Sequence, residues 1–561
     1  MAVLPQSLLE AATSMSMLQC AALLFVVLPL CYTVIRAVRS PLRRVPGPPL
    51  SLFTSAILRW HELRCGRTRY VHALHQRYGP VVRLAPDEVS FASAAAVKEI
   101  YNSAGSGYDK TDFYDLFTVY GRRTMFTTLD KETHARRRRI LADRYANSNI
   151  MRGPALAGIE ERAQHFTELC KNAAGGVLDI YVRGCNIWSR KTEILKTLLT
   201  FPEARSCNSA NKAALHAYAF DCVTHHLFHP YGSDSLRKES DAEIMREVTF
   251  DDSIQNRLVS FYSPSFYAII NPVLTWFAKP RETPLADDFV LETAAKSDAA
   301  HFTLLARMHE KQQLNAQGST DEEARPAAGS FDALDTAAES LDHMAAGIDT
   351  TGDALCFLMW ELSTPRSLHF QERLRRELVE NEAKGADALP FDRLPFLDAV
   401  IMEGLRCFPA IPMSLPRVVP GQTWGRSAAR GEQQADGRVI DGFFLPAGTV
   451  VSSQAYSVHR MDAAVFPDPD SFNPDRWLAS DGDADRKRSF FAFASGGRGC
   501  IGKHLALVEM KILMRDIYSR FATAPEISMT PEAMEMSDQL ISSRPLAQRC
   551  LLQFVPLAEV S

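Results

Sequence analysis

The feature that most constrains this chain is Phe493-Ala494-Ser495-Gly496-Gly497-Arg498-Gly499-Cys500-Ile501-Gly502, a glycine-rich stretch with one thiol and one guanidinium. Glycine has no Cβ and accepts positive φ, so bare backbone here can approach a large flat ligand. From Lys503 to about Phe521 the pattern turns helical, which puts Cys500 at or just before a helix N-terminus. Backbone N–H groups and the macrodipole at such a position favour thiolate over thiol. A thiolate backed by amide donors suits axial ligation of a haem iron. Read alone, these residues leave other outcomes open. One cysteine among the 11 in the chain is commonly an inert, buried small hydrophobe. Cys500 and His504 could form half of a zinc site, but no second pair lies nearby. A glycine-rich turn can also bind phosphate, although the Walker lysine and hydroxyl are missing.

Composition narrows the partners. The chain of 561 residues is 46% hydrophobic and 23% charged, with a net charge of −4, so it lacks the basic excess of a nucleic-acid-binding protein. Its cysteines are odd in number and scattered without paired spacing, which predicts reduced thiols facing a cytosolic environment. Met15 to Ile35 carries no charge, and as a helix it spans the roughly 30 Å of a bilayer core. The first basic residue is Arg36, so the basic start of a cleaved signal peptide is missing. Arg36, Arg39, Arg43 and Arg44 then place the body on the cytosolic side. Val45-Pro46-Gly47-Pro48-Pro49 is expected to be a stiff, extended spacer. The expected organisation is a lumenal N-terminus over 1–14, a transmembrane anchor over 15–35, a basic, proline-rich linker over 36–50 and a catalytic body over 51–561.

The body reads as mainly α with minor β. Val81 to Ala85 and Val89 to Phe91 are expected strands joined by a turn, and Ala94 to Tyr101 a short helix. A mostly helical pattern runs from Glu160 to about His229, and again over 267–277 and 287–313. A long helix is expected from about Phe331 to Leu362, stopped by Pro365. Strand signals return only near 439–451 and 550–554. Gln312 to Ser330 and Gln422 to Gly437 are polar stretches, read as a loop and a surface insertion.

Three further constellations carry chemistry. In Ala345-Ala346-Gly347-Ile348-Asp349-Thr350-Thr351-Gly352, adjacent threonines are poor helix formers, and Thr350 can bond back to the Ala346 carbonyl and open the turn. Asp349 and Thr350 would then offer an acid and an alcohol for proton delivery; an N-cap or a tolerated kink is the plainer alternative. Glu403 and Arg406 share a helical face and by themselves form an ordinary ion pair. Joined by Arg476 of Phe472-Asn473-Pro474-Asp475-Arg476-Trp477, they would lock the segment that precedes the cysteine loop. His134-Ala135-Arg136-Arg137-Arg138-Arg139 puts four arginines on one helix, where steps of about 100° forbid a common direction. One or two are expected to face inward to a carboxylate. Leu415-Pro416-Arg417 adds a guanidinium suited to bidentate carboxylate pairing. His225, His226 and His229 are read as helix-end packing ahead of a metal site.

The order of these elements resembles the cytochrome P450 superfamily, in particular the microsomal monooxygenases of filamentous fungi. The cysteine loop fits the family's Phe-x-x-Gly-x-Arg-x-Cys-x-Gly signature at Phe493, Gly496, Arg498, Cys500 and Gly502. Asp349-Thr350 resembles its oxygen-activation motif, Glu403 and Arg406 its Glu-x-x-Arg, and Arg476 the arginine of its meander. The resemblance implies the cytochrome P450 fold around haem b, with Cys500 as the iron's axial ligand. It further implies Phe493 and Gly502 beside the cofactor, and His134, Arg138, Arg417 and Arg498 as propionate partners. His134 stands where the family commonly carries tryptophan, which leaves that one contact in question. It also implies O2 and NADPH-derived electrons, delivered by NADPH–cytochrome P450 reductase and in some relatives by cytochrome b5. The expected substrate is a hydrophobic terpenoid, polyketide or alkaloid intermediate, and the expected location the endoplasmic reticulum membrane, with a single pass and a cytosolic body. Two rival classes remain: a haem-thiolate isomerase or dehydratase that needs no reductase, and a membrane haem carrier without turnover.

Overall fold

The computed structural model describes residues 17–102, 107–173, 175–181, 215–249, 253–277, 283–318, 331–421, 436–538 and 541–557. Helices dominate. Those that frame the site are α1 (Met17–Arg39), α2 (Lys131–Leu141), α3 (Gly153–Asn172), α4 (Leu215–Phe228), α5 (Ala333–Ser363), α6 (Leu368–Glu382), α7 (Pro395–Cys407) and α8 (Lys503–Tyr518). Helix α5 starts on a capping box: Asp332 accepts from the Asp335 N–H, and the Asp335 side chain accepts from the Asp332 N–H. It ends at Thr364, whose extended backbone is what the following proline requires. Every residue of α4 is buried, as befits a helix enclosed on all sides. Helices α3, α4, α5, α7 and α8 share one apolar core that includes Phe166, Tyr218, Leu358, Leu397 and Leu513.

The strands are short: β1 (Val81–Ala85), β2 (Glu88–Phe91), β3 (Asp109–Lys110), β4 (Val177–Asp179), β5 (Arg417–Val418), β6 (Gly437–Ile440), β7 (Phe443–Pro446), β8 (Val450–Ser452), β9 (Phe521–Pro525), β10 (Met536–Asp538), β11 (Ser543–Pro545) and β12 (Leu551–Pro556). The largest sheet has the order β1-β2-β8-β5-β3. Its last pairing sets Lys110 opposite Arg417, so two cations from distant parts of the chain meet at the sheet edge beside the site.

Several expectations need correction. The mostly helical stretch to His229 is interrupted by β4, because Val177, Leu178 and Asp179 pair with Gln553, Leu552 and Leu551 of β12. Strands β3, β5, β9, β10 and β11 lie where no strand is expected from the sequence. Residues 319–330 and 422–435 of the two polar stretches lie outside the described residues.

The proline-rich spacer does not stand off the body as an extended rod. Pro41–Arg44 and Pro49–Leu52 form two 3-10 turns, and Leu42 and Val45 are buried. The Arg83 guanidinium holds them, donating to the carbonyls of Leu42 (3.0 Å), Val45 (2.6 Å) and Pro48 (3.1 Å) and to Ser51 Oγ (3.0 Å). A Cβ on Gly47 would sit 2.5 Å from the Arg83 carbonyl oxygen, so only glycine passes there. Helix α1 covers most of the charge-free run and carries Pro29 inside it. Among the described residues no helix is long and apolar enough to cross a membrane; the run itself begins at Met15, outside them.

Candidate active site

The cysteine loop is held by its own backbone. The Cys500 N–H donates to the Phe493 carbonyl at 2.8 Å, and the Gly499 N–H to the Gly496 carbonyl at 3.0 Å. Gly496 takes φ +70°, and a Cβ there would lie 2.0 Å from the Tyr101 carbonyl oxygen, so both conformation and space demand glycine. Gly502 caps α8, which leaves Cys500 just ahead of the helix, as expected. Cys500 is solvent-accessible, although protein surrounds its thiol. Enclosure pushes its pKa up; the N–H groups of Gly502 and Lys503 and the charges of Arg138 and Lys503 pull against that rise without cancelling it. Phe493 lies beside the thiol loop, with the Lys503 ammonium 5.7 Å from its ring centre.

Cations converge on this loop. Arg138 donates to the Gly499 carbonyl at 2.6 Å. Its neighbours diverge as the helical step requires: Arg137 pairs with buried Glu339 at 3.1 Å, Arg136 with exposed Glu132 at 2.7 Å, and Arg139 is exposed. His134 is buried on the same helix. Arg417 bonds the Tyr114 hydroxyl at 2.8 Å, and Arg498 reaches Asp109 at 3.3 Å. Lys110, which sequence reasoning missed, joins them with its ammonium bonded to the Phe126 carbonyl. Among the described residues the only ion pair that any of these five side chains makes is Arg498–Asp109, and the Nε and one terminal nitrogen of Arg498 are buried without a partner. Burial and mutual repulsion drive the pKa values down: Lys110 well below its usual value, His134 to about 3, Arg498 to about 10. A set of basic groups this poor in counter-charge is built to receive anionic groups.

The predicted three-residue lock assembles in full. Arg406 donates to both oxygens of Glu403 at 2.8 and 2.9 Å, and Arg476 Nε donates to Oε1 at 2.9 Å. The Asn473 N–H and the Trp477 indole, each at 2.9 Å, complete the carboxylate. Burial opposes the Glu403 charge, but Arg406, Arg476 and the Asn473 N–H together hold its pKa below the usual range. The guanidinium of Arg406 then bonds the carbonyls of Pro469 (2.6 Å) and Ser471 (3.0 Å), which fixes the irregular segment. His459, also unforeseen, carries this order to the thiol loop. Its Nδ1 lies 3.0 Å from the Arg406 carbonyl, and its Nε2 accepts from the Phe491 N–H at 2.8 Å.

On α5, Thr350 Oγ1 donates to the Ala346 carbonyl at 2.7 Å, as expected. The helix nevertheless continues unbroken through this turn, so the hydroxyl bond is accommodated without the opening that the sequence suggested. Asp349 is directed elsewhere, with one carboxyl oxygen buried and unpartnered. Burial and the neighbouring Asp353 raise its pKa to about 8, against His216 and Arg544.

Residues 284–551 match the Cytochrome P450 family model. The chain is also 28% identical to cytochrome P450 monooxygenase stcB of Emericella nidulans, over 91% of this chain and 88% of that protein. It is 28% identical to cytochrome P450 monooxygenase aflV of Aspergillus parasiticus, over 92% and 91%, and 28% identical to cytochrome P450 monooxygenase tazI of Aspergillus terreus, over 92% and 95%. These matches make the chain an oxidoreductase similar to the cytochrome P450 family, and that family implies haem. The residues present fit that group. A cytochrome P450 needs a sulfur ligand on a loop open to a flat ring, and Cys500 with its glycines meets this. The unpartnered nitrogens of Arg498 and the convergence of Lys110, His134, Arg138 and Arg417 suit the two carboxylates that a haem carries. The motif order marked all of these except Lys110, which reaches the cluster through the β3–β5 register and has no signal along the chain. His225 and His229 pack on each other and on Phe302, while His226 packs against Tyr145.

Proposed function

We propose that this protein is a cytochrome P450, a haem-thiolate monooxygenase that inserts one oxygen atom of O2 into a hydrophobic small molecule of fungal secondary metabolism. One observation carries the reading: the enclosed Cys500 thiol lies beside a converging set of basic groups almost without counter-charge. In this reading Cys500 would hold the iron through its sulfur. Arg138, Arg417, Arg498, His134 and Lys110 orient the carboxylates of the ring, while Phe493 and Gly502 border the sulfur. Haem, when bound, supplies the reduction of dioxygen and the transfer of one oxygen atom to substrate. Asp349 supplies the proton that this chemistry consumes, and Thr350 presents a hydroxyl at the same turn. Glu403, Arg406 and Arg476 hold the approach to the thiol loop and touch no reacting atom.

Electrons come from NADPH through a flavoprotein reductase docking on the exposed basic residues of α2 and on Lys503. Residues 15–35 anchor the chain in the endoplasmic reticulum membrane, with the body in the cytosol. The fungal relatives, matched over nearly their full lengths, support a role in secondary metabolism. The test is the ferrous–CO spectrum: the wild type shows the red-shifted Soret band of thiolate ligation, and Cys500→Ser abolishes it. A band unchanged in the variant overturns the ligand assignment.

A further inference from the structure

Behind the Asp349–Thr350 turn, on the side facing α4, lies a buried cluster that the reading above leaves unused. Asp349 and Asp353 stand one turn apart on α5 and therefore share a face. Against them α4 places His216, with Nε2 3.2 Å from Asp353 Oδ1 and both side chains almost fully buried. The space for the imidazole is made by Gly352: a Cβ there would lie 2.8 Å from the His216 ring. Tyr181 meets the same ring edge-on at 4.9 Å. Three polar atoms of the cluster remain buried without a hydrogen bond among the described residues, Asp349 Oδ1, His216 Nδ1 and Asp353 Oδ1, the last meeting His216 as an ion pair. A structural ion pair needs neither a second carboxyl one turn away nor a glycine cut to fit the ring.

We propose that the buried His216–Asp353 pair is a positioning device that keeps a proton on Asp349, so that the acid is loaded whenever oxygen chemistry calls for it. This role rests on the function proposed above for Asp349. The charge of Asp353 disfavours a second carboxylate next to it, so the proton stays on Asp349. His216, paired with Asp353 at 3.2 Å, moderates that charge and sets how firmly the proton is held. Burial alone would lower the His216 pKa; Asp353 outweighs it, with help from Asp349 and Asp179, and the net shift is upward. The other groups that face the cluster are Arg544 from β11, which favours carboxylate on both acids, and Tyr181 and Cys356, which are pushed further toward their neutral forms. The acids thus feel opposite pulls, from Asp353 upward and from His216 and Arg544 downward. Changing either member of the pair must shift Asp349 in a defined direction.

Infrared titration of the full-length, substrate-free ferric holoenzyme reads this without turnover. A protonated carboxyl band is expected that persists through neutral pH and titrates near the value of about 8 given for Asp349; it is assigned by its loss in Asp349→Asn. Asp353→Asn moves the midpoint down by at least about one pH unit, while His216→Gln, which removes the cation, moves it up. Shifts in opposite directions are the signature, since general loosening of the packing would move both the same way. An unchanged midpoint in both variants, or shifts of the same sign, overturns the proposal. Should His216→Gln fail to fold, His216→Asn supplies the upward arm of the test. Loss of the thiolate reading would appear in the ferrous–CO spectrum and leave these midpoints standing, so the two failures are separable.

Discussion

Glu403 shows how much one side chain can hold. Its buried carboxylate takes bonds from two buried guanidinium groups and from a half-buried indole and backbone N–H. Glu403→Ala leaves Arg406 and Arg476 buried without their counter-charge. It is expected to cost about 3–5 kcal/mol, the usual penalty for breaking a buried pair by removing one partner. Chemical denaturation measures this, and retention of the haem should fall with it. Because the folded-state pKa of Glu403 lies below the ordinary 4.5 of a glutamate, its stabilisation is complete above that value and disappears as pH falls through the depressed one. Stability of the wild type should therefore drop in acid more steeply than that of the variant. At this scale the sequence is legible wherever residues come in ordered motifs, as Glu403, Arg406, Arg476 and Cys500 do. Lys110, His216 and His459 carry no such mark. Each becomes meaningful only through a neighbour more than a hundred residues away (Arg417, Asp353) or across an irregular segment (Phe491).

Among the elements, long helices follow from local pattern and short strands do not. Helix α5 announces itself by its length of helical pattern and the proline beyond its end, and the structure agrees within a residue or two. Strands β3, β4 and β5, of two or three residues each, exist because of partners remote in the chain, so no periodicity has room to develop. The thiol loop lies between these cases. Its glycines promise freedom to approach a ring, and at Gly496 that freedom is spent first on the protein itself, against the Tyr101 carbonyl. Gly496→Ala adds a Cβ to a residue at φ +70° and drives it into backbone. The variant is expected to lose haem retention and the ferrous–CO band by at least about tenfold, a cost above roughly 1.4 kcal/mol. Gly497→Ala serves as control, because nothing lies within 4 Å of the point where its Cβ would stand.

For the whole molecule, the membrane attachment proposed above rests on residues 15–35 and the arginines after them. Removing residues 1–35 is expected to shift the protein from the membrane fraction to the soluble fraction while the ferrous–CO band is kept. A truncated chain that stays with membranes would show that another surface holds it there. The body is expected to fold without that segment, since among the described residues its core clusters begin with Leu42 and Val45. What it does need is Arg83, and here the grip of one guanidinium on three carbonyls acquires a mechanical meaning. A chain hung from a loose leash would swing and spin beneath its point of suspension. This one leaves α1 through a clamped joint, so the heading of the body is set at the joint, and any force on the helix is passed directly to the first sheet through β1.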